Sequence, residues 1–187
     1  MVTDTELVRK CKEGNQKYQE MLYNRFAPKL MAIALRYARN QADAEDILHD
    51  SFVKVLTNLD NYNEDGSLDG WVKRITVNTA INAYYKKKKM EDSIEVEDVR
   101  EMTTAVNINY NDFLSEKILL QLINELPDGY RTVFNMFEID GYSHKEISEM
   151  TGSSYSTVRS QLFKAKRALK KRLEEFLGEE YHDKLAE

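Results

Sequence analysis

The chain of 187 residues holds one cysteine, Cys11. A lone thiol closes no disulfide and builds no thiolate metal cluster, which fits a reducing compartment. Proline occurs twice and glycine seven times, against eleven tyrosines and seven phenylalanines. So few helix breakers favour long helices. No stretch alternates apolar and polar residues over a strand's length, so an all-α fold is expected. No apolar run reaches the ~18 residues of a membrane span, and no membrane insertion is expected. The start, MVTDTELVRKCKEGN, has early acids and no apolar centre. It does not read as a signal peptide, and a cytoplasmic location follows as the expectation. Chemistry-bearing clusters are also scarce. Asp46 and His49 share a helix face, with Glu45 one turn from His49, but no second carboxylate–histidine pair joins them to hold a metal. His144 and His182 have no matching partners, and there is no glycine-rich phosphate loop, serine elbow or nucleophilic cysteine setting. The reading is a protein that is not an enzyme and uses no cofactor or metal.

Charge is present in both signs but sorted. The net charge is −5, which alone does not mark a nucleic-acid binder. Residues 73–89 and 154–172 carry bases and no acids, whereas 43–65 and 91–101 are mostly acidic. A chain with one face for DNA and an acidic face for a protein would look like this.

The stretch 141–172, GYSHKEISEMTGSSYSTVRSQLFKAKRALKKR, organises the rest. Ser143 and Glu146 form a capping-box signature, and Ile147 and Met150 give a short apolar face. Gly152 supplies the left-handed backbone of a sharp turn. Ser153 or Ser154 then caps a second helix, whose Val158, Leu162, Ala165, Leu169 and Leu173 recur at buried-face spacing. Its other face carries Arg159, Lys164, Lys166, Arg167, Lys170, Lys171 and Arg172. A helix, a glycine turn and a longer basic helix opening on small polar residues are the sequence form of a DNA-binding helix-turn-helix. The first turn of the second helix enters the major groove, which offers Ser154, Tyr155, Ser156, Thr157, Arg159 and Ser160 to base edges. Arg159 suits a guanine. Lys164, Arg167 and Lys171 lie further along and suit phosphates. An ordinary amphipathic helix would mix signs on its outer face, and this one does not.

In chain order, the periodicity predicts helices over 3–13 and 16–39, the latter kinked or split by Pro28. A third, DAEDILHDSFVKVLTNLDNY, opens at Gln41 or Asp43. Its outer acids include Asp43, Glu45, Asp46 and Asp50; the helix dipole accounts for the first-turn acids but not for Asp50. A turn-rich loop, 61–70, leads to a helix over 68–89. One face of it would hold Leu68, Trp71, Val72, Ile75, Thr79, Asn82 and Ala83. The other would expose Lys73, Arg74, Val77, Ile81, Tyr84 and Lys88, mixing bases with rings as single-stranded DNA binders do. Trp71 also reads as a packing residue. The acidic stretch 91–111 reads as a flexible linker. A second helical domain over 112–178 has a helix ending at Pro127, a short helix over 130–139 with Val133, Phe134 and Phe137 inside, and the helix-turn-helix. Residues 179–187 read as a polar tail.

Four stretches in this order, DAEDILHDSFVKVLTNLDNY, SLDGWVKRITVNTAINAYYKKKK, LPDGYRTVFNMFEIDGYSHKEISEMTG and SSYSTVRSQLFKAKRALKKRL, resemble the two-domain sigma factors of the extracytoplasmic-function (ECF) group of bacterial RNA polymerase. The resemblance covers nearly the whole chain. It implies a transcription initiation factor that binds core polymerase and directs it to promoters. Asp43, Glu45, Asp46 and Asp50 would meet the β′ clamp helices. Residues 1–90 would bind and open the −10 element through Asn61, Tyr62, Trp71, Lys73, Arg74, Asn78, Tyr84, Lys87 and Lys88. The helix-turn-helix would read the −35 duplex and sit on the β flap, with the linker directed to the RNA exit path. An anti-sigma factor is a further implied partner. Against the family's pattern, Asn82 stands at an Asp place and Thr76 at an Ala place, and the helix ends in lysines rather than arginines. A lysine meets phosphate as a point charge, without bidentate geometry. A stand-alone helix-turn-helix regulator would explain 141–172 but neither the acidic helix nor the helix from Trp71.

Overall fold

The computed structural model describes residues 2–63, 65–91 and 116–186. The fold is all-α, with no strand among the described residues. The chain divides into two compact units, Met1–Ile94 and Glu95–Glu187. The predicted linker, beyond Glu91 at the end of its helix, lies outside the described residues.

The first unit holds α1 (Asp4–Lys12), α2 (Gln16–Tyr37), α3 (Gln41–Thr57), a 3₁₀ turn (Leu59–Asn61) and α4 (Leu68–Glu91). Thr3 caps α1 by accepting from the Glu6 amide. Helix α2 is not split at Pro28 but runs through it. The missing amide costs ~3 kcal/mol in a helix interior. Leu22, Phe26, Leu30 and Ile33 are buried on both sides of it. Each recovers ~1.5–3 kcal/mol, so burial wins. Helix α3 is capped by Asn40, whose Oδ1 accepts from the Asp43 amide at 2.8 Å.

The faces of α4 differ from those the sequence predicts. Val77 and Ile81 are buried with Leu68, Val72 and Ala80 in the core, and Asn82 is exposed. The buried positions include two threonines, whose hydroxyls donate back to helix carbonyls: Thr76 to Val72 at 3.0 Å and Thr79 to Ile75 at 2.8 Å. A satisfied hydroxyl is tolerated in a core, which explains how Thr76 is buried.

The second unit holds α5 (Glu116–Asn124), α6 (Asp128–Phe134), a wide π turn (Asn135–Ile139), α7 (His144–Thr151) and α8 (Tyr155–Ala186). Ile118, Leu122, Ile123, Leu126, Val133 and Met136 form its core with Ile147, Val158, Leu162 and Ala165 of the helix pair. Arg131, 1% exposed, reaches Asp128 at 3.1 Å and the Asn124 carbonyl at 3.2 Å. The π turn shifts the predicted register. Asn135 and Met136 face inward, and Phe137 is only half-buried. Helix α8 continues where the sequence reads as a polar tail. Gly178 alone costs ~1 kcal/mol, and the pairs Lys170–Glu174 and Lys171–Glu175, at 3.7 and 3.4 Å, support the approach to it.

Candidate nucleic-acid and polymerase interfaces

In the first unit, the C-terminal end of α3, the 3₁₀ turn and α4 border an open surface cavity of about 360 Å³. Lys54, Asn58, Asn61, Trp71, Ile75, Asn78, Thr79 and Asn82 line it. Four carboxamides, an indole and one cation suit a flat heterocycle with polar edges. The wall is held by its own contacts. The Lys54 ammonium donates to the Thr79 hydroxyl at 3.2 Å, and the Asn58 amide donates to the Lys54 carbonyl at 2.8 Å. The Asn61 amide group donates to Asn58 Oδ1 at 3.3 Å. At the head of α4, Ser67 Oγ accepts from the Gly70 amide at 3.1 Å, and Lys29 pairs with Asp69.

Of the residues the sequence assigned to a −10 element, Asn61, Trp71 and Asn78 meet in this cavity. Arg74 is exposed and Lys73 half-buried. Tyr62 is buried behind Trp71, with ring centroids 5.4 Å apart, and does not offer a stacking face. Tyr84 lies in a different groove. The side chains of Lys87 and Lys88 lie outside the described residues. Sequence reasoning missed Lys54, Asn58 and Asn82. The signal was there: polar residues at 54/58 and 78/82 repeat one helical turn apart on two successive helices.

That other groove, of about 140 Å³, is lined by Asp43, Asp46 and Asp50 on one side and by Tyr37, Arg39, Ala80 and Tyr84 among others. Three of the four acids of α3 therefore share one face. Glu45 points elsewhere and accepts from the Gln41 side chain at 3.0 Å. Val53, 60% exposed, extends the line of Asp46 and Asp50 by one turn. His49 is exposed, and among the described residues no group of three or more His, Cys, Asp or Glu side chains is placed to hold a metal ion.

In the second unit the capping box is present: the Glu146 amide donates to Ser143 Oγ at 3.2 Å and the Ser143 amide donates to Glu146 at 2.8 Å. Gly152 takes φ 67°, in the left-handed region. Ser154 is the cap of α8, accepting from the Thr157 amide at 3.1 Å and sharing hydroxyl bonds with Ser156 and Thr157. Its first duty is structural. Tyr155 is 52% exposed, with its ring 5.7 Å from His144, itself 4.4 Å from Phe137. Ser156, Thr157, Arg159, Ser160, Lys164 and Arg167 are exposed. Lys171 is exposed but pairs with Glu175. Phe163, unassigned by the sequence reading, is 69% exposed one turn beyond Arg159. Its signal was an aromatic on the face opposite Val158 and Leu162. Lys166 belongs to the basic face only in sequence: its ammonium sits 2.7 Å from Glu138 and over the Phe137 ring.

Family comparison matches Sigma-70 region 2 to residues 22–90 and Sigma-70, region 4 to residues 116–169. The ECF RNA polymerase sigma-E factor of Salmonella typhimurium is 30% identical over 179 residues, covering 90% of this chain and 93% of that protein. The chain belongs to the ECF sigma factors. The sigma-E factors of Haemophilus influenzae and Escherichia coli are 28% and 29% identical, over 92% and 90% of this chain and 96% and 93% of theirs. In fold, this ECF factor is similar to the sigma factor RpoE of Bartonella quintana, solved in complex with the anti-sigma factor NepR. The TM-score is 0.57 at 20% identity, covering 83% of this chain and 96% of that one. The cavity and the acidic groove fall in the ECF factor's region 2, and the helix pair α7–α8 in its region 4. As a sigma factor, the protein directs RNA polymerase to promoters. No helix among its described residues is long and apolar enough to cross a membrane.

Proposed function

We propose that the two units of this ECF factor read separate promoter elements. The division is that of the sequence: 1–90 for the −10 element and the polymerase clamp, 91–111 as linker toward the RNA exit path, 112–178 for the −35 duplex and the β flap, and 179–187 as a polar tail. The observation that carries the reading is the carboxamide-and-indole cavity in a unit that lacks the helix-turn-helix. A duplex-binding regulator has no use for it. A factor that melts DNA does, because a base turned out of the stack needs a polar pocket and an aromatic surface that recovers ~1–3 kcal/mol per stacked base. Asn61, Trp71 and Asn78 take the base, and Lys73 and Arg74 follow the backbone. In the other unit Tyr155, Ser156, Thr157, Arg159, Ser160 and Phe163 face the major groove, with Lys164 and Arg167 on phosphates.

Asp43, Asp46 and Asp50, with the exposed Val53, form the face for the β′ clamp helices. An inhibitory partner that hides Val53 would silence the factor; an anti-sigma factor fits that role, as the Bartonella quintana sigma factor is held by one. The protein acts in the cytoplasm with polymerase and adds no catalytic chemistry of its own. The test is the double variant Trp71→Ala, Asn78→Ala in reconstituted holoenzyme. It keeps its affinity for a −35 duplex but forms fewer open complexes, read as lost permanganate reactivity of thymines near −10. A pre-melted template restores transcription. Normal opening by the variant would remove melting from this cavity.

A further inference from the structure

Tyr62 looks, from its sequence position, like a ring offered to DNA. It is instead 8% exposed. Its ring packs against Trp71, tilted by 49° at 5.4 Å between centroids. Its hydroxyl donates to the Gly66 carbonyl at 2.8 Å, across the turn that leads into α4. The loop is already pinned at both ends by backbone bonds, Asn61 to Asn58 at 2.9 Å and Trp71 to Ser67 at 3.1 Å. Tyr62 joins the middle of that loop to a wall of the cavity. A buried tyrosine needs a partner for its hydroxyl, but a phenylalanine would fill the same space with none. The hydroxyl therefore adds a constraint on the loop beyond the packing.

We propose that Tyr62 is a positioning residue for base capture: its hydroxyl latches the turn to Gly66 while its ring braces Trp71, holding the cavity in the shape that receives a flipped base. The proposal rests on the reading of that cavity as the site of a −10 base. It makes Tyr62 act through Trp71 and the loop rather than by touching DNA. Preorganisation of this kind raises affinity by removing the ordering cost from the binding step.

The test uses holoenzyme and a set of single-stranded −10 oligonucleotides, each with an abasic site at one position. Wild type loses affinity chiefly at one position, that of the captured base. Tyr62→Phe binds the intact strand about two- to tenfold more weakly, the range that one hydrogen bond spans. Its abasic penalty shrinks by the same factor at that position alone, with −35 duplex affinity unchanged and the melting temperature lowered by no more than the few degrees that one hydrogen bond is worth. If Tyr62→Phe retains the full position-specific penalty, the latch is refuted and the cavity reading stands. If the variant weakens every oligonucleotide equally and melts earlier, Tyr62 is only structural and the latch is again refuted. A wild type without any position-specific penalty removes the cavity reading itself, and the proposal with it.

Discussion

Glu138→Gln should make the helix-turn-helix bind DNA with a steeper salt dependence. Lys166 counts among the bases of α8 in the sequence, but its ammonium is 2.7 Å from Glu138 and 5.7 Å from the centroid of Phe137. Both partners of the pair are partly exposed, so the pair itself is worth no more than ~1 kcal/mol. It nonetheless occupies a charge that could sit on a phosphate. Each phosphate neutralised on duplex DNA contributes about −0.9 to the slope of log affinity against log salt. Releasing Lys166 therefore steepens the slope by up to ~0.9, which between about 50 and about 200 mM salt is a factor of ~3.5 in affinity. Fluorescence anisotropy on a −35 duplex at four or five salt concentrations measures it. Arg167→Ala provides the scale in the other direction, flattening the slope by about the same amount. The decisive comparison is Glu138→Gln in a Lys166→Ala background, where no gain is expected. A gain that persists there would come from the lost carboxylate's general repulsion of DNA, and the argument that Glu138 sequesters Lys166 would fail.

Asp46→Lys with Asp50→Lys should weaken binding to core polymerase at moderate salt without loss of helicity by circular dichroism; unchanged capture would remove this face from the interface. Arg159→Ala should cost ~1–3 kcal/mol on a cognate −35 duplex and relax preference at one base pair, whereas equal losses on specific and random DNA would mean that it holds phosphate. Burial in α1 pushes the Cys11 thiol above its ordinary value, so less of it is thiolate near neutral pH and native protein should react slowly with a thiol reagent. Rapid labelling without denaturant would show that α1 does not stay packed.

What the sequence made legible was local. Ser143 and Glu146 cap one end of a single short helix and Gly152 ends it, so spacing alone located the turn and both caps of that helix. The acids of α3 were legible as one surface because a helix places Asp43, Asp46 and Asp50 on one side by geometry. Helix α4 defeated the same logic. Its core includes Thr76 and Thr79, polar residues made neutral by backbone bonds, so apolarity no longer marks the buried face. The cavity draws on α3, a 3₁₀ turn and α4, and no periodicity within one helix reports which residues of another will oppose it. Phe137 was assigned to the core because a regular helix would put it there; the π turn after Phe134 does not follow that period.

That π turn bears on how such a factor can change over generations. The π turn over Asn135–Ile139 takes about one residue more per turn than a regular helix, and Glu138, which pairs with Lys166, lies inside it. Deleting a single codon in that stretch would rotate Glu138 away while leaving α8 itself untouched. The net positive charge that the DNA-reading helix presents would then rise without any substitution on that helix. Promoter affinity in this lineage can thus drift through the length of a neighbouring helix, where a comparison of recognition helices alone would see no difference.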